Sequence, residues 1–415
     1  MQTYLVGGAI RDRMLGIGDS DRDYVVTGAT PEQMQALGYK PVGRHFPVFL
    51  HPESKAEYAL ARTERKQGRG HQGFVFHTGA DVTIEDDLIR RDLTINAMAE
   101  DAAGKLIDPY HGQQDLAARL LRHISPAFAE DPLRVLRVAR FAAKLAPFGF
   151  TVADETMQLM RQISASGELQ TLSAERVWQE LHKALLTSAP QRFVEVLRSC
   201  GALAQLLPEV DALFGVPQVE KYHPEVDTGV HVLMTLQLAA EHNCAAEIRF
   251  ALLLHDLGKA LTPDEQLPKH HGHEISGVPL ILAVCDRLKV PKKYRELAQL
   301  VGRWHLLVHR ALELRAQTLL QLLERCDALR RPQRFALLLQ ACEMDKRGRL
   351  GLQSRPYPQR DYLLAAATAL NSVTYESIDN KPGSGIFNQE AFRTLRLEML
   401  KGFIKEQRKK EEYHD

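Results

Sequence analysis

Two aspartates stand one residue apart at the start of a β-rich run. They are Asp21 and Asp23, and the letters YVV follow them directly. Residues i and i+2 of a strand point to the same face, so both carboxylates project together. Neighbouring acids repel each other unless a cation lies between them, and Mg²⁺ favours carboxylates combined with substrate phosphate oxygens. The pair therefore predicts a Mg²⁺ site, where two ions could activate an attacking hydroxyl and stabilise a leaving group.

A turn suited to phosphate precedes the two aspartates. In the run LVGGAIRDR a strand ends at Val6, Gly7 and Gly8 make a tight turn, and a helix begins near Ala9. Backbone N–H groups at a helix N-terminus favour phosphate, and glycine lets phosphate oxygens approach the main chain. Arg11 falls in the first helical turn, where its guanidinium could hold a triphosphate. We therefore expect Gly8 and Arg11 to bind phosphate.

A second group of polar residues lies in the segment RRDLTIN. It predicts the start of a helix, with Asp92 and Asn96 four residues apart on one face. Arg90 and Arg91 come at the beginning of this predicted helix.

Three more arginines recur every third residue in the segment EDPLRVLRVARF. Successive helical steps of about 100° leave Arg134, Arg137 and Arg140 within one broad stripe. Cations on one stripe repel each other, so a polyanion is their natural partner. Asp131 and Arg134 together offer acceptors and donors suited to a base edge. The chain as a whole has 53 Lys+Arg against 52 Asp+Glu, so this basic stretch is local and predicts a confined phosphate-binding cleft.

Histidines with metal-ligand character follow in the second half of the chain. A strongly apolar helical segment, RFALLL, is followed at once by His255 and Asp256. A buried helix that ends in adjacent imidazole and carboxylate groups is typical of a metal site. Further candidates occur upstream and downstream: His231, His270, His271, His273, His305, His309 and Asp345.

The elements that carry these residues change character along the chain. Up to about residue 125, short β-rich runs alternate with helical stretches, which indicates an α/β domain. After Asp131 nearly all segments are amphipathic helices. We predict an α/β head with a mixed sheet over residues 1–140, then an all-α body over 141–225, an all-α His-rich domain over 226–350 and a helical tail over 351–415. The Pro- and Gly-rich stretch LFGVPQVEKYHPEVDTG separates the middle helices from the His-rich part.

Composition narrows the class of protein. No apolar run approaches the ~20 residues that span a bilayer, and the N-terminus enters a strand without a signal peptide, so we expect no membrane segment. The 5 cysteines have no paired spacing, which indicates reduced thiols in a cytoplasmic protein.

The ordered motifs identify a family. GGxxRD, DxD, RRDxxxNAM, DPYxG (residues 108–112) and EDPxRxLRxxRF resemble, from residue 2 to about 200, the bacterial class II tRNA nucleotidyltransferases, the CCA-adding enzymes. The bacterial poly(A) polymerases share much of this set. The resemblance implies that the glycine turn and Arg11 bind triphosphate, that Asp21 and Asp23 bind Mg²⁺, and that three arginines contact the incoming nucleotide: Arg91, Arg137 and Arg140.

The same resemblance implies how bases are chosen. Asp131 and Arg134 match the pair that reads the Watson–Crick edges of CTP and ATP, so that no nucleic-acid template is needed. The segment over residues 65–73 fits a mobile loop used in changing from CTP to ATP, and its glycines and basic residues agree with that role. A third catalytic carboxylate is expected on a neighbouring strand, with Glu57 and Glu64 as open alternatives.

The His-rich part resembles an HD phosphohydrolase domain. The resemblance implies one or two divalent metals, with Ni²⁺ or another transition metal favoured, and places Lys259 near phosphate. The positions that match the ligand pattern are His231, His255, Asp256, His273 (with Gly277 four residues on), His305 and Asp345. Leu306 follows His305 where a second His-Asp pair would strengthen the site, so the ligand count stays open. A degenerate HD fold kept for tRNA binding is the alternative.

These observations favour an enzyme that adds C, C and A to the 3′ end of tRNA. Its HD domain would add 2′,3′-cyclic phosphodiesterase, 2′-nucleotidase and phosphatase activities. Two alternatives stay open: a bacterial poly(A) polymerase, and an HD phosphohydrolase whose head only senses nucleotides. The sequence allows a monomer or a homodimer.

Overall fold

The computed structural model of the protein describes residues 1–18, 22–42, 48–66, 74–77, 79, 81–373 and 389–412. Two compact units divide the chain, Met1–Leu206 and Leu207–Asp415. The first unit contains the sheet and the helices that follow it, and the second is helical. The predicted order, an α/β head with a mixed sheet and then helices to the C-terminus, is confirmed.

The head is built on a seven-stranded mixed sheet with the strand order β3-β4-β5-β2-β1-β8-β9. Its strands are β1 (Gln2–Val6), β2 (Asp23–Thr27), β3 (Lys40–Val42), β4 (Val48–Leu50), β5 (Glu57–Leu60), β8 (Ala99–Glu100) and β9 (Leu106–Ile107). Two small two-stranded sheets complete the unit, one of β6 (Thr63–Lys66) with β7 (Phe74–His77) and one of β10 (Leu120–Leu121) with β11 (Thr151–Val152). Within the large sheet, β2 and β5 run parallel, and the other neighbouring strands are antiparallel.

Alternating side chains of the central strands pack under short helices. Val6 and Val25 are buried with Leu88 in one apolar cluster, and Val26 and Leu60 belong to a second cluster. The helices of this part are α1 (Gly8–Met14), α2 (Pro31–Ala36), α3 (Ile84–Leu88) and α4 (Gly112–Ala118). This arrangement follows from strand alternation, because every second residue faces the same side of the sheet.

The prediction of a helix that begins at Arg90 is wrong. Helix α3 ends at Leu88, before the predicted start. Arg91 and Asp92 form a bend, Leu93 pairs with His123 in an isolated β-bridge, and a short 3-10 turn, Thr94–Asn96, follows. The physical reason is that the Asp92 side chain binds nearby groups of the chain. Its Oδ1 accepts hydrogen bonds from the backbone N–H of Leu93 and from the Asn96 side chain. A carboxylate that binds local backbone in this way competes with helix formation.

Five helices complete the first unit, with α5 at the centre. They are α5 (Leu133–Leu145), α6 (Asp154–Ala165), α7 (Ala174–Leu185), α8 (Gln191–Ser199) and α9 (Leu203–Leu206). Helix α5 packs against both α7 and α8. Its apolar face is fully buried, including Val135 and Leu136, while the arginine stripe lies on another side.

The second unit surrounds one apolar helix. Its helices are α10 (Pro208–Asp211), α11 (Thr228–Glu241), α12 (Ala246–Leu254), α13 (His273–Arg287), α14 (Lys292–His309), α15 (Ala316–Arg325), α16 (Pro332–Arg347), α17 (Gln359–Asn371) and α18 (Gln389–Glu412). Helix α12 is buried along nearly its whole length and packs against α11, α14 and α16. Because α12 ends at Leu254, the next two residues, His255 and Asp256, emerge in the middle of the bundle.

A glycine lets the start of α13 approach this point closely. A Cβ atom on Gly258 would lie 2.1 Å from the backbone oxygen of His273 and 2.7 Å from the backbone nitrogen of Gly277. Any larger residue at position 258 would push His273 away from Asp256. Across the described residues, no helix is long and apolar enough to cross a membrane.

Candidate nucleotide and metal sites

The predicted carboxylate site of the head lies at the start of β2. Asp23 is the first residue of that strand and pairs in register with Val6 at the end of β1. On its other side Asp23 pairs with Glu57, the first residue of β5. Residues directly opposite on neighbouring strands share a face of the sheet. Asp21 falls outside the described residues.

The register also separates the two candidates for a third carboxylate. Glu57 is exposed beside Asp23 in the large sheet, whereas Glu64 belongs to β6 of the separate two-stranded sheet. Two carboxylates on one face of adjacent strands form a donor set that fits a divalent cation. Of the predicted loop over residues 65–73, residues 65–66 belong to β6 and residues 67–73 lie outside the described part of the chain.

The glycine turn connects the end of β1 to α1 under an arginine. Gly7 has a φ of +69°, and a Cβ on it would lie 2.9 Å from Nη1 of Arg91. Both the backbone conformation and the close contact therefore require glycine at this position. Arg11 follows in the helix and is only 3% exposed. Its Nε donates to Asp12 at 2.7 Å, and its Nη1 donates to the side-chain oxygen of Asn96.

A buried network continues from Asn96 to the stripe on α5. Asn96 donates from Nδ2 to Asp92 Oδ1 at 2.9 Å, and Arg137 donates from Nε to Asp92 Oδ2 at 2.7 Å. Burial opposes ionisation of Asp92, but the charge of Arg137 and these hydrogen bonds hold its pKa below the usual range. In turn, the Asp92 carboxylate raises the pKa of Arg137 against the opposing effect of burial. The structure thus joins Arg11, Asp92, Asn96 and Arg137 in one connected set.

The other side chains predicted to contact the nucleotide have protein partners of their own. Arg134 donates to two backbone oxygens, those of Ala127 at 2.7 Å and Arg90 at 2.6 Å. Asp131 accepts from Nη2 of Arg176 at 2.9 Å. Arg140 donates to Glu180, and Arg91 donates to Asp87. Their assignment to nucleotide binding stays a prediction.

In the second unit, all six predicted metal ligands converge. Nitrogen and oxygen atoms of His231, His255 and Asp345 lie within 4.8 Å of one another, and so do those of Asp256, His273 and His305. All six residues are at most 5% exposed.

Asp256 connects the two groups. Its Oδ2 lies 3.1 Å from His255 Nε2 and 3.9 Å from His231 Nε2. Its Oδ1 lies 3.3 Å from His273 Nε2 and 3.7 Å from His305 Nε2. One carboxylate between two histidine pairs is an arrangement that can bridge two divalent ions.

Backbone carbonyls fix the tautomers of three histidines. Nδ1 of His255 lies 2.8 Å from Leu252 O, Nδ1 of His273 lies 2.7 Å from His270 O, and Nδ1 of His305 lies 3.0 Å from Val301 O. A carbonyl oxygen only accepts, so each Nδ1 must donate a proton. In the neutral ring Nε2 then presents a lone pair, and all three Nε2 atoms face Asp256. This is the orientation that metal-binding histidines adopt.

The electrostatics of the cluster favour a bound cation. Burial lowers the pKa of His255, but Asp256 and Asp345 raise it to about 10. Burial opposes ionisation of both acids, yet the histidines hold the pKa of Asp256 and of Asp345 well below the usual range. For His305 burial dominates and lowers its pKa. The two carboxylates therefore attract positive charge to the centre of the cluster.

Buried polar atoms without a hydrogen-bond partner test whether a metal ion fits the HD cluster. Among the described residues, neither His255 Nε2 nor Asp256 Oδ1 has a hydrogen-bond partner, although both atoms are buried. Nε2 of His273 and Nε2 of His305 lie 3.2 Å apart. In neutral rings these are two facing lone pairs, which a cation between them would stabilise. The donor set of imidazole and carboxylate suits a transition metal.

Sequence reasoning missed Glu225 and Tyr357, which support this cluster, and named His309 only as a further candidate without a role. Oε1 of Glu225 lies 3.0 Å from His231 Nδ1, at an ion-pair distance without the angle of a hydrogen bond. His309 donates from Nε2 to Asp345 at 2.7 Å, and its Nδ1 accepts from Tyr357 at 2.9 Å. The only available signal was the spacing of His309, one helical turn after His305. Glu225 lies in the Pro- and Gly-rich stretch LFGVPQVEKYHPEVDTG, which the sequence analysis interprets only as a link between two helical parts.

Three known family models match the chain. They are the Poly A polymerase head domain over residues 3–122, the probable RNA and SrmB-binding site of polymerase A over residues 149–214, and the HD domain over residues 228–332. The first match contains the glycine turn and Asp23. The third contains five of the six predicted metal ligands, all except Asp345.

Solved structures share the fold at low sequence identity. The Thermotoga maritima CCA-adding enzyme complexed with tRNA has a TM-score of 0.59 at 20% identity, covering 98% of this chain and 87% of that one. A CCA-adding enzyme in apo form II has a TM-score of 0.63 at 20% identity, covering 97% and 88%.

Curated relatives are similar over nearly their whole length. The multifunctional CCA protein of Ectopseudomonas mendocina is 61% identical over 403 residues, which cover 97% of this chain and 98% of that protein. The protein of the same name from Pseudomonas aeruginosa PAO1 is 59% identical over 409 residues, covering 99% and 100%. At this identity and coverage, the chain belongs to the family of multifunctional CCA proteins.

Proposed function

We propose that this protein adds C, C and A to the 3′ end of tRNA from CTP and ATP, without a nucleic-acid template. The observation that carries the proposal is the identity of about 60% to multifunctional CCA proteins over nearly the full chain. Solved structures of CCA-adding enzymes that share this fold include complexes with tRNA, with ATP and with CTP. These ligands are the substrates we assign to this chain.

Asp23 and Glu57, together with Asp21, would hold Mg²⁺ in the head. When bound there, Mg²⁺ supplies the positive charge that activates a 3′-hydroxyl and neutralises the pyrophosphate leaving group. The protein contributes position: Asp23 pairs with Val6, so its carboxylate lies at the strand end from which the glycine turn departs. Arg11, held by Asp12 and Asn96, is fixed next to that turn for a triphosphate.

Arg134 in the first turn of α5 and Asp131, two residues before that helix begins, select the base in this proposal. Asp131 and Arg134 offer acceptors and donors for the Watson–Crick edges of cytosine and adenine. Both already make polar contacts, with Arg176 and with backbone oxygens. Such contacts hold the two side chains in one orientation, which a protein template requires.

The experiment for this function uses tRNA without its terminal CCA, incubated with CTP and ATP singly and together. We expect C, C and A to be added in order and addition to stop. An open-ended ladder of A would instead identify a poly(A) polymerase. Asp23→Asn should abolish incorporation, whereas Asp154→Asn, at an exposed acid that begins α6, should not.

We further propose that the HD cluster hydrolyses phosphoesters at RNA ends, with 2′,3′-cyclic phosphodiester, 2′-phosphate and phosphomonoester substrates. The supporting observation is the convergence of six buried ligands around Asp256. The residues that would hold Ni²⁺ or another transition metal are His231, His255, Asp256, His273, His305 and Asp345. A metal bound there polarises the phosphoryl group and activates the attacking water.

Separate variants distinguish the two activities. Asp23→Asn should abolish nucleotide incorporation and leave hydrolysis of a 2′,3′-cyclic nucleotide unchanged. A double variant, His255→Ala with Asp256→Ala, should give the reverse pattern. If both activities collapse in either variant while circular dichroism shows an intact fold, the assignment of two independent sites is wrong. Loss of nucleotide incorporation in Asp23→Asn, with hydrolysis unchanged, would also exclude a head that only senses nucleotides.

A further inference from the structure

The HD cluster opens into a cavity of about 710 Å³ with buried donors in its lining. Gln218, Lys259 and Arg349 all line this cavity, and their exposed fractions are 3%, 6% and 6%. Buried polar groups in proteins nearly always have partners, so donors without one indicate a ligand or ordered water.

The orientation of the Gln218 amide is determined by its neighbour. Nζ of Lys259 lies 2.6 Å from Oε1 of Gln218 and 2.7 Å from Oδ2 of Asp256. A lysine ammonium only donates, so the amide oxygen must face it and the NH₂ group must point elsewhere. In the described part of the chain, that Nε2 has no hydrogen-bond partner. Gln218 therefore presents a buried donor with nothing to bind.

Arg349 presents a second donor of the same kind. Its Nη1 donates to the backbone oxygen of Tyr222 at 2.9 Å, and its Nη2 lies 3.7 Å from Oδ1 of Asp345. Its Nε is buried and, among the residues described, has no partner. Lys259 adds a third donor, because its ammonium has three N–H groups and the contacts above use two.

The backbone holds Gln218 rigidly in place. Its N–H donates to Val226 O at 2.7 Å, and the preceding residue, Pro217, accepts from Nε2 of His270 at 2.9 Å. Nδ1 of His270 in turn lies 2.7 Å from the Thr262 hydroxyl. A side chain fixed by its loop in this way loses little entropy when it binds a ligand.

We propose that Gln218 Nε2 and Arg349 Nε, with Lys259, bind the non-bridging oxygens of a phosphoryl group beside the HD metal cluster. The inference rests on the proposed phosphohydrolase function and names the residues that hold its substrate. Lys259 and Arg349 provide positive charge next to Asp256 and Asp345, where a phosphate must lie to reach a metal held by those acids. Gln218 adds a neutral donor, which can bind an oxyanion without adding charge to the cavity.

The test measures binding of orthophosphate to the full chain loaded with Mn²⁺, by isothermal titration calorimetry. Gln218→Glu keeps the oxygen that faces Lys259 and replaces only the free donor by an oxygen. We expect phosphate affinity to fall about tenfold or more, since hydrogen bonds to charged groups are the strong ones. Arg349→Lys, which keeps the charge and removes Nε–H, should also weaken binding. Mn²⁺ affinity should not change in either variant.

A charge control is available at the exposed rim of the cavity. Gln321→Glu adds the same negative charge there and leaves the three buried donors intact. Gln321→Glu should change phosphate affinity less than twofold. Any phosphate that binds to the head contributes equally to the titrations of all variants. Equal phosphate affinity of wild type and Gln218→Glu, or equal losses in Gln218→Glu and Gln321→Glu, would overturn the proposal.

Hydrolysis assays separate this inference from the function on which it rests. If wild type cleaves 2′,3′-cyclic nucleotides and Gln218→Glu leaves both KM and phosphate affinity unchanged, the subsite is wrong and the phosphohydrolase stands. If phosphate binding depends on Gln218 but wild type cleaves no phosphoester, the subsite stands and the phosphohydrolase is wrong.

Discussion

His273 and His305 face each other through Nε2 atoms 3.2 Å apart, and both rings give their Nδ1 protons to backbone carbonyls. The two histidines come from different helices, α13 and α14, which pack together. Neutral rings in this arrangement have opposed lone pairs, and Asp256 lies within 4 Å of both. The cluster is therefore organised for a cation, and its stability must depend on one.

Metal removal tests this dependence. We expect the melting temperature of the chelator-treated protein to rise when Ni²⁺ or Mn²⁺ is added. At a metal concentration 100 times the Kd, binding contributes about 2.7 kcal/mol to the free energy of unfolding. Differential scanning fluorimetry measures the shift. His305→Ala should reduce it, and His271→Ala, at an exposed histidine outside the cluster, should not. An unchanged melting temperature at saturating metal would contradict the assignment.

Glu225 is expected to act on the metal through His231. Nε2 of His231 lies 3.0 Å from Oδ1 of Asp345. To bind a metal, this Nε2 must present its lone pair, so the ring proton must then be on Nδ1, beside the Glu225 carboxylate. Glu225→Gln removes that charge, and we expect metal affinity to fall 10- to 100-fold, the range for such supporting groups. Titration calorimetry measures it. Glu241→Gln, at an exposed acid at the end of α11, the helix that carries His231, is the matched control. Equal affinities for both variants would refute the role of Glu225.

The buried Asp92 should stabilise the head through Arg137. Asp92→Asn leaves the guanidinium without its charged partner, and we expect the free energy of unfolding to fall by about 2 kcal/mol. Chemical denaturation gives this value. Glu100→Gln breaks the exposed pair with Arg13 and should cost less than about 1 kcal/mol. Equal losses in the two variants would mean that burial of Asp92 contributes nothing.

The same carboxylate predicts a pH dependence. Because the pKa of Asp92 is lower in the folded protein than the unfolded value of about 3.9, its stabilisation is fully present above that value. It is lost as the pH falls towards the folded pKa. The difference in unfolding free energy between wild type and Asp92→Asn should be constant from about pH 6 to 8 and shrink below about pH 4. A difference that grows on acidification has the wrong sign.

Asp131 should control the choice of base. If it contacts the Watson–Crick edge of the nucleotide, Asp131→Ala should reduce discrimination between CTP and UTP about 5- to 150-fold, since one good contact of this kind contributes about 1–3 kcal/mol. Single-nucleotide incorporation with each triphosphate measures kcat/KM. Asp154→Ala, at an exposed acid on α6, should keep the wild-type ratio. An unchanged ratio for Asp131→Ala would remove Asp131 from base recognition.

The fold class and most elements were predictable from local patterns. The strand that carries Asp23, the amphipathic helix α5 and the apolar helix that ends before His255 all follow from residue spacing. The helix predicted at Arg90 failed because Asp92 accepts hydrogen bonds from its neighbours Leu93 and Asn96, and because Arg137, 45 residues away in the chain, holds the same carboxylate. No local pattern reports such a partner.

The sequence by itself determined which polar residues recur at spacings suited to chemistry, because two- and four-residue spacings place side chains on one face of a strand or helix. Only the tertiary structure decided how they act together. It placed Glu57 beside Asp23 across two strands, and it brought ligands from five segments of the second unit around Asp256. It also brought the stretch before α11, with Gln218 and Glu225, against the HD cluster. These relationships depend on contacts between distant segments, and hydrogen-bond geometry then fixes the tautomers and free donors.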